Sequence, residues 1–204
     1  MMDLNLNYKT ILLASNNSNK IEELKSILNE ILGVRIITLN DINITIDIIE
    51  DGETLEENAY IKAKTINNIT NLPVIADDTG LEVLELNKKP GVLSARYAGK
   101  DCNSKNNRIK LLNDLTSIKN RNASFKTVIC FVDEFNTIFS EGEVRGKITY
   151  EEKGENGFGY DKIFELEINE KTYAEMTIQE KNYLSHRALA INDLKRKLTN
   201  LINS

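Results

Sequence analysis

The chain has 204 residues, of which 41% are hydrophobic and 28% charged, and its formal net charge is −5. That length and composition suit one domain, or one domain with two lobes, and exclude an intrinsically disordered chain. The negative balance offers no overall attraction for nucleic acid, so a polyanionic ligand would need a metal ion or locally clustered Lys and Arg.

In chain order, residues 10–14 form a short apolar run that reads as a buried strand. A polar loop of Ser15, Asn16, Asn17, Ser18 and Asn19 follows, and then a helix with Ile21, Leu24, Ile27, Leu28, Ile31 and Leu32 on one face. Residues 34–39 read as a second strand. Residues 54–71 read as a helix, because Thr54 and Glu57 have capping-box spacing. Pro73 ends that connection, and residues 74–76 form a strand that delivers Asp77, Asp78, Thr79 and Gly80 at its C-terminal end.

Further on, residues 104–115 predict a helix, and 125–132 with 137–144 predict a pair of long antiparallel strands. A loop with three glycines spans 154–159. Thr177 and Glu180 cap a short helix, and a final helix from about His186 buries Leu189 or Ala190, Leu194, Leu198 and Leu201. Strands alternating with helices indicate an α/β sheet with polar residues where strands run into loops, followed by a hairpin-rich extension.

Cys102 and Cys130 lack metal-ligand spacing and read as two reduced thiols. The beginning of the chain carries Asp3 and only a short apolar run, so no signal peptide is expected; no stretch approaches a membrane span. The expected location is the cytoplasm, with no membrane partner.

Four segments hold residues suited to chemistry. The loop Ser15–Asn19 enters a helix N-terminus, where unpaired N–H groups and the dipole favour phosphate. Lys20 adds a positive charge there, against the preference of the helix itself; the plainer reading is that Ser18 or Asn19 caps the helix. The second segment is acidic: Glu50, Asp51, Glu53, Glu56, Glu57, Asp77 and Asp78. Hard cations take a few carboxylate oxygens plus water and phosphates. Adjacent aspartates on extended chain point to opposite faces, so only one easily faces a given site. Glu57 is adequately explained by its own capping box, and Glu50–Glu56 by a solvated loop.

In the third segment, the Gly-rich loop, Phe158 and Tyr160 could stack on a base and Asp161 could fix a ligand or the loop; two core aromatics in a hairpin loop is the plainer account. The fourth is Lys181 with Ser185, His186 and Arg187. His186 is the only histidine, and beside Arg187 it offers donors for a carbonyl oxygen or phosphate. Gly142, Gly146 and Lys147 mimic a P-loop, but the spacing is short and no Ser or Thr follows the Lys.

Taken together and in order, these pieces resemble the inosine triphosphate pyrophosphatase family. The likeness is carried by Ser15–Lys20, residues 52–59 (GETLEENA), 76–81 (ADDTGL), 90–99 (PGVLSARYAG), 154–161 (GENGFGYD), and Glu180, Lys181, Asn182 with Ser185, His186 and Arg187. It runs from about Ile11 to Lys197. Asn16 stands where the family usually has Gly, Thr79 replaces the usual Ser, and Ile49-Glu50 precede Asp51 where many relatives carry consecutive acids.

The resemblance implies a single domain over 1–204 with an elongated central mixed sheet flanked by helices, its two lobes enclosing an active-site cleft. It implies hydrolysis of ITP, dITP and XTP to monophosphate and pyrophosphate, with Mg²⁺ held by Glu50, Asp78 and Asp77, in a homodimer. It further implies that Ser15, Asn16, Asn17, Ser18, Asn19, Lys20 and Thr79 bind substrate, together with Phe158, Gly159, Tyr160, Asp161, Lys181, His186 and Arg187. Asp78 would orient or deprotonate the attacking water. Two other readings stay open on the residues alone: a metal-dependent phosphohydrolase for pyrimidine or ordinary nucleotides, and a nucleotide sensor without activity.

Overall fold

A computed structural model describes residues 10–32 and 34–202. Asp3 and the side chains of Ile31, Leu32 and Leu201 lie outside the described residues. The elements are β1 (Thr10–Leu13), α1 (Ser18–Leu32), β2 (Arg35–Thr38), α2 (Leu55–Thr70), β3 (Val74–Val83) and β4 (Pro90–Gly91). They continue with α3 (Ser104–Asp114), β5 (Asn122–Val132), β6 (Thr137–Ile148), β7 (Phe164–Leu166), α4 (Ile178–Leu184) and α5 (His186–Ile202). Hydrogen bonding orders the strands β2-β1-β3-β5-β6-β7, with β4 on β3. β1 runs parallel to β2 and β3, whereas β4 and β7 pair antiparallel to β3 and β6, so the sheet is mixed, as expected.

The chain divides into two compact units. The first runs to Asp78 and includes Thr127–Gly142 and the chain from Arg187; the second is Thr79–Lys126 with Glu143–His186. In the first unit, Ile11 and Leu13 of β1, Ile75 of β3, Leu24, Ile27 and Leu28 of α1, and Ala190, Ile191, Leu194 and Leu198 of α5 share one core. Ala190 is the buried alternative, whereas Leu189 is 42% exposed. The second unit packs Leu81, Val83, Leu111, Phe125, Tyr160, Phe164 and Tyr173 together.

Three local expectations need correction. β3 does not stop at Ala76: it continues through Asp77, Asp78 and Thr79 to Val83. Its parallel ladder with β1 ends at Leu13–Ile75, but β4 then pairs with Leu81 and Glu82 and keeps the chain extended. The helix after β1 is capped by neither Ser18 nor Asn19. Asn17 caps it: its Oδ1 accepts from the Lys20 amide at 3.2 Å, and its carbonyl accepts from Ile21. The strands at 125–132 and 137–144 are each longer than their apolar cores suggest, starting at Asn122 and ending at Ile148 respectively. The capping boxes of Thr54 with Glu57 and of Thr177 with Glu180 form as read.

Both cysteines are free; Cys102 is exposed and Cys130 buried. Burial pushes the Cys130 thiol up to about 12, so it stays protonated and inert. Iodoacetamide on the native protein should therefore add one carbamidomethyl group, at Cys102, and a second only after denaturation, as read by intact mass and peptide mapping. Rapid native modification of Cys130 would contradict the packing around it. No described helix is long and apolar enough to cross a membrane.

Candidate active site

In the first unit the alternation of β3 sorts its two aspartates. Asp77 lies two residues beyond Ile75, on the side of the α1 and α5 core. Its Oδ2 is 3.2 Å from Lys20 Nζ and 3.7 Å from Arg187 Nε. Arg187, the second residue of α5, also pairs through Nη1 with Glu23 Oε2 of α1 at 2.9 Å. All four charges are largely withdrawn from water, so each needs a partner. Burial pushes Asp77 upward, but Lys20, Arg187 and Lys62 outweigh it and hold the carboxyl at about 2.

Asp78 turns the other way, toward α2. Its Oδ2 accepts from Asn58 Nδ2 at 3.2 Å, and its Oδ1 lies 3.7 Å from Lys62 Nζ. The same ammonium is 3.2 Å from Glu50 Oε2. Asn58 and Lys62 are one helical turn apart, so both fall on the buried side of α2. Asn58 Oδ1 also accepts from the Gly52 amide, which ties the acidic loop to the helix start. A Cβ on Gly52 would come within 2.7 Å of Glu57 Cβ, so that close approach requires glycine. Burial raises the Asp78 carboxyl above its usual range against the pull of Lys62 and Lys20, and Glu50 and Asp77 add to the rise.

The loop before α1 is mostly solvent-exposed and partly self-satisfied. Ser15 Oγ accepts from the Asn17 amide, and Asn16 Nδ2 donates to the Ile46 carbonyl. Asn16 adopts no left-handed conformation, so the family's usual Gly is not demanded by this backbone. Ser18 and Asn19 occupy the first turn of α1, and Lys20 is the residue of that turn that faces Asp77.

In the second unit, Asp161 organises the Gly-rich loop. Its Oδ2 accepts from the Phe158 amide at 2.8 Å and from Lys181 Nζ of α4 at 2.6 Å. Lys181 Nζ also lies 4.8 Å from the centre of the Phe158 ring. Gly157, at φ +73°, lies so close to the Asp161 carboxylate that any Cβ would collide with it. Tyr160 is a core aromatic: its hydroxyl donates to the Ser94 carbonyl at 2.8 Å. Thr79 is half-buried in β3. His186 stacks on Phe125 with ring centres 4.7 Å apart and meets Tyr173 edge-on. Neighbours in sequence, His186 and Arg187 thus enter different surroundings, an aromatic core and a carboxylate cluster.

Asn58, Lys62 and Glu23 were not legible as site residues. The available signal was spacing: Asn58 and Lys62 share a helical face with Ala59, Ala63 and Ile66, where polar residues are out of place.

The sequence model of the Ham1 family matches residues 11–197. A dITP/XTP pyrophosphatase of Clostridium tetani is 46% identical over 198 residues, covering 95% of this chain and 98% of the relative. One from Flavobacterium johnsoniae is 45% identical, covering 93% and 97%. The solved structure of the Staphylococcus aureus Ham1 protein matches with a TM-score of 0.84 at 40% identity, over 95% of this chain and all of that one. A HAM1 protein from Coxiella burnetii gives a TM-score of 0.85 at 39% identity with the same coverage. With its residues 11–197 matched and its fold shared, the chain belongs to the Ham1 family.

Proposed function

We propose that the chain hydrolyses the non-standard purine nucleotides ITP, dITP and XTP to the monophosphate and pyrophosphate, with Mg²⁺ as cofactor. The observation that carries this reading is the convergence of Glu50 and Asp78 on one ammonium, Lys62, at 3.2 and 3.7 Å. Two carboxylates that share one ammonium have the charge and spacing to take a divalent ion in its stead. Among the described residues no group of three or more His, Cys, Asp or Glu stands together as a metal cage. Mg²⁺ takes one or two carboxylates and leaves its other positions to water and substrate phosphates, a demand that the Glu50 and Asp78 pair can meet.

Glu50 and Asp78 would hold the ion, whereas Asp77, on the other side of β3, would hold Lys20 and Arg187. Bound Mg²⁺ supplies charge neutralisation for the polyphosphate. Asp78 orients the attacking water and takes its proton; positioning and electrostatics dominate such transfers. Lys20, held by Asp77, and the loop Ser15, Asn16, Asn17, Ser18 and Asn19 bind the phosphate chain, together with the Thr79 hydroxyl. Phe158 stacks on the base, while Gly159, Tyr160, Asp161 and Lys181 keep it in place. His186 would donate to the 6-keto oxygen, while Arg187 stays with Glu23 and Asp77. Adenine offers an amino group there instead and would leave that donor unpaired, at about 1–3 kcal/mol. A homodimer and a cytoplasmic location belong to the same proposal.

A nucleotide panel with magnesium tests it. ITP, dITP and XTP should release pyrophosphate and no orthophosphate, and ATP should lag by roughly 5- to 150-fold in kcat/KM for that unpaired donor. Equal turnover of ATP and TTP would overturn the keto-purine assignment, and orthophosphate release would overturn the reaction.

A further inference from the structure

The segment Pro90–Gly99 carries part of the family likeness, yet nothing in the proposed chemistry uses it. Its place in the second unit shows a different employment. Asn107 of α3, buried, accepts from the Ala98 amide at 2.7 Å through Oδ1 and donates to the Ala95 carbonyl at 2.8 Å through Nδ2. Ser94, in the same segment, gives its carbonyl to the Tyr160 hydroxyl. The next helix residue, Arg108, donates through Nη1 to the Gly159 carbonyl at 2.8 Å and through Nε to Glu152 Oε1 at 2.6 Å. Helix α3 thus braces the Pro90–Gly99 segment with one residue and the Gly-rich loop with the next.

The loop needs that brace. Gly159 sits at φ +59° and has no atom within 4 Å of where a Cβ would be. Its backbone is gripped by charge. The Phe158 amide donates to Asp161, and the Gly159 carbonyl accepts from Arg108. These two grips bracket Phe158 and fix the backbone from which its ring projects. Reaching a carboxylate and a carbonyl at once suits a planar fork of donors; a lysine ammonium is a single point charge on a flexible stem.

We infer that Arg108 is a positioning residue for nucleotide binding, which presents Phe158 by holding the Gly159 carbonyl. This rests on the proposed stacking of Phe158 on the base. The test is a double-mutant cycle in KM for ITP with Arg108→Leu, Phe158→Ala and the pair. Arg108→Leu should raise KM about tenfold, the equivalent of one charge-assisted hydrogen bond, and change kcat less than about threefold. In the Phe158→Ala background the same substitution should have no further effect on KM. A merely structural role would instead lower thermal stability and active fraction, with equal effects in both backgrounds.

An unchanged KM in Arg108→Leu, or an undiminished effect without Phe158, overturns the inference while leaving the base-stacking reading intact. A Phe158→Ala variant with unchanged KM removes the stacking itself, and this inference with it. Should Arg108→Leu fail to fold, Arg108→Lys runs the same cycle. It keeps a charge near Glu152 but loses the fork, so a smaller KM rise that again vanishes without Phe158 is the supporting result.

Discussion

Replacing Asp78 with Asn should lower kcat for ITP by about 10³-fold or more, while nucleotide still binds. The substitution keeps the shape of the side chain and removes its charge and its capacity to take a proton. An amide oxygen can still accept from Asn58, which now reaches Asp78 at 3.2 Å, and Lys62 keeps Glu50 at 3.2 Å. The fold should therefore survive. Asp78 is only 6% exposed, and its charge is unfavourable in that burial except for Lys62 and a bound cation. Neutralising it should leave the melting temperature level or slightly raised, as expected where a group serves activity rather than stability. Two measurements decide the matter: single-turnover release of pyrophosphate, and ITP binding by calorimetry. Full turnover in Asp78→Asn would strip the residue of its role. A loss of kcat accompanied by a collapse in melting temperature would assign the effect to folding.

What the sequence disclosed follows the range of the interactions concerned. Thr54 with Glu57, and Thr177 with Glu180, form as expected because a capping box is complete within four residues. The opposite facing of Asp77 and Asp78 was legible for the same reason, since the strand period is two. The extent of β3 was not. Asp77 to Gly80 carries polar and small residues that read as a strand end, and only β4, arriving from Pro90, reveals that the strand continues. Spacing put Lys62 on the apolar face of α2 but could not name what would hold it there. A lysine among apolar helix positions ordinarily extends into water, and here two carboxylates distant in the chain draw it inward. Tyr160 divides the same way: its aromatic character was visible, but its hydroxyl bond to Ser94, 66 residues away, makes it a core residue. Glu23 and Arg108 lie on helix faces whose partners come from the far side of the sequence, and spacing gave no hint of either.

Asp161→Ala carries the largest stability effect expected in the second unit. Asp161 Oδ2 accepts at once from the Lys181 ammonium at 2.6 Å and from the Phe158 amide at 2.8 Å, and the paired side chains are 10% and 6% exposed. Removing one member of a buried pair takes the ion-pair partner from the other charge, a loss of about 3–5 kcal/mol. For a chain of this length that corresponds to roughly 6–20 °C in melting temperature. The asymmetry of buried ion pairs gives a sharper check. Adding Lys181→Met to Asp161→Ala removes the stranded ammonium and fills the space with apolar volume, so most of the lost stability should return. The return should stop short of the parent protein, because the Phe158 amide remains without its acceptor, a deficit of about 1–3 kcal/mol. Nucleotide binding should not return with it, since the Asp161 grip on the Phe158 amide and the Lys181 contact with the Phe158 ring are both gone. Urea unfolding of the parent, the single variant and the double variant orders the three. A single variant as stable as the parent would show that the pair contributes nothing. A double variant less stable than the single would show that Lys181 is satisfied without Asp161, and the loop would then need another organiser.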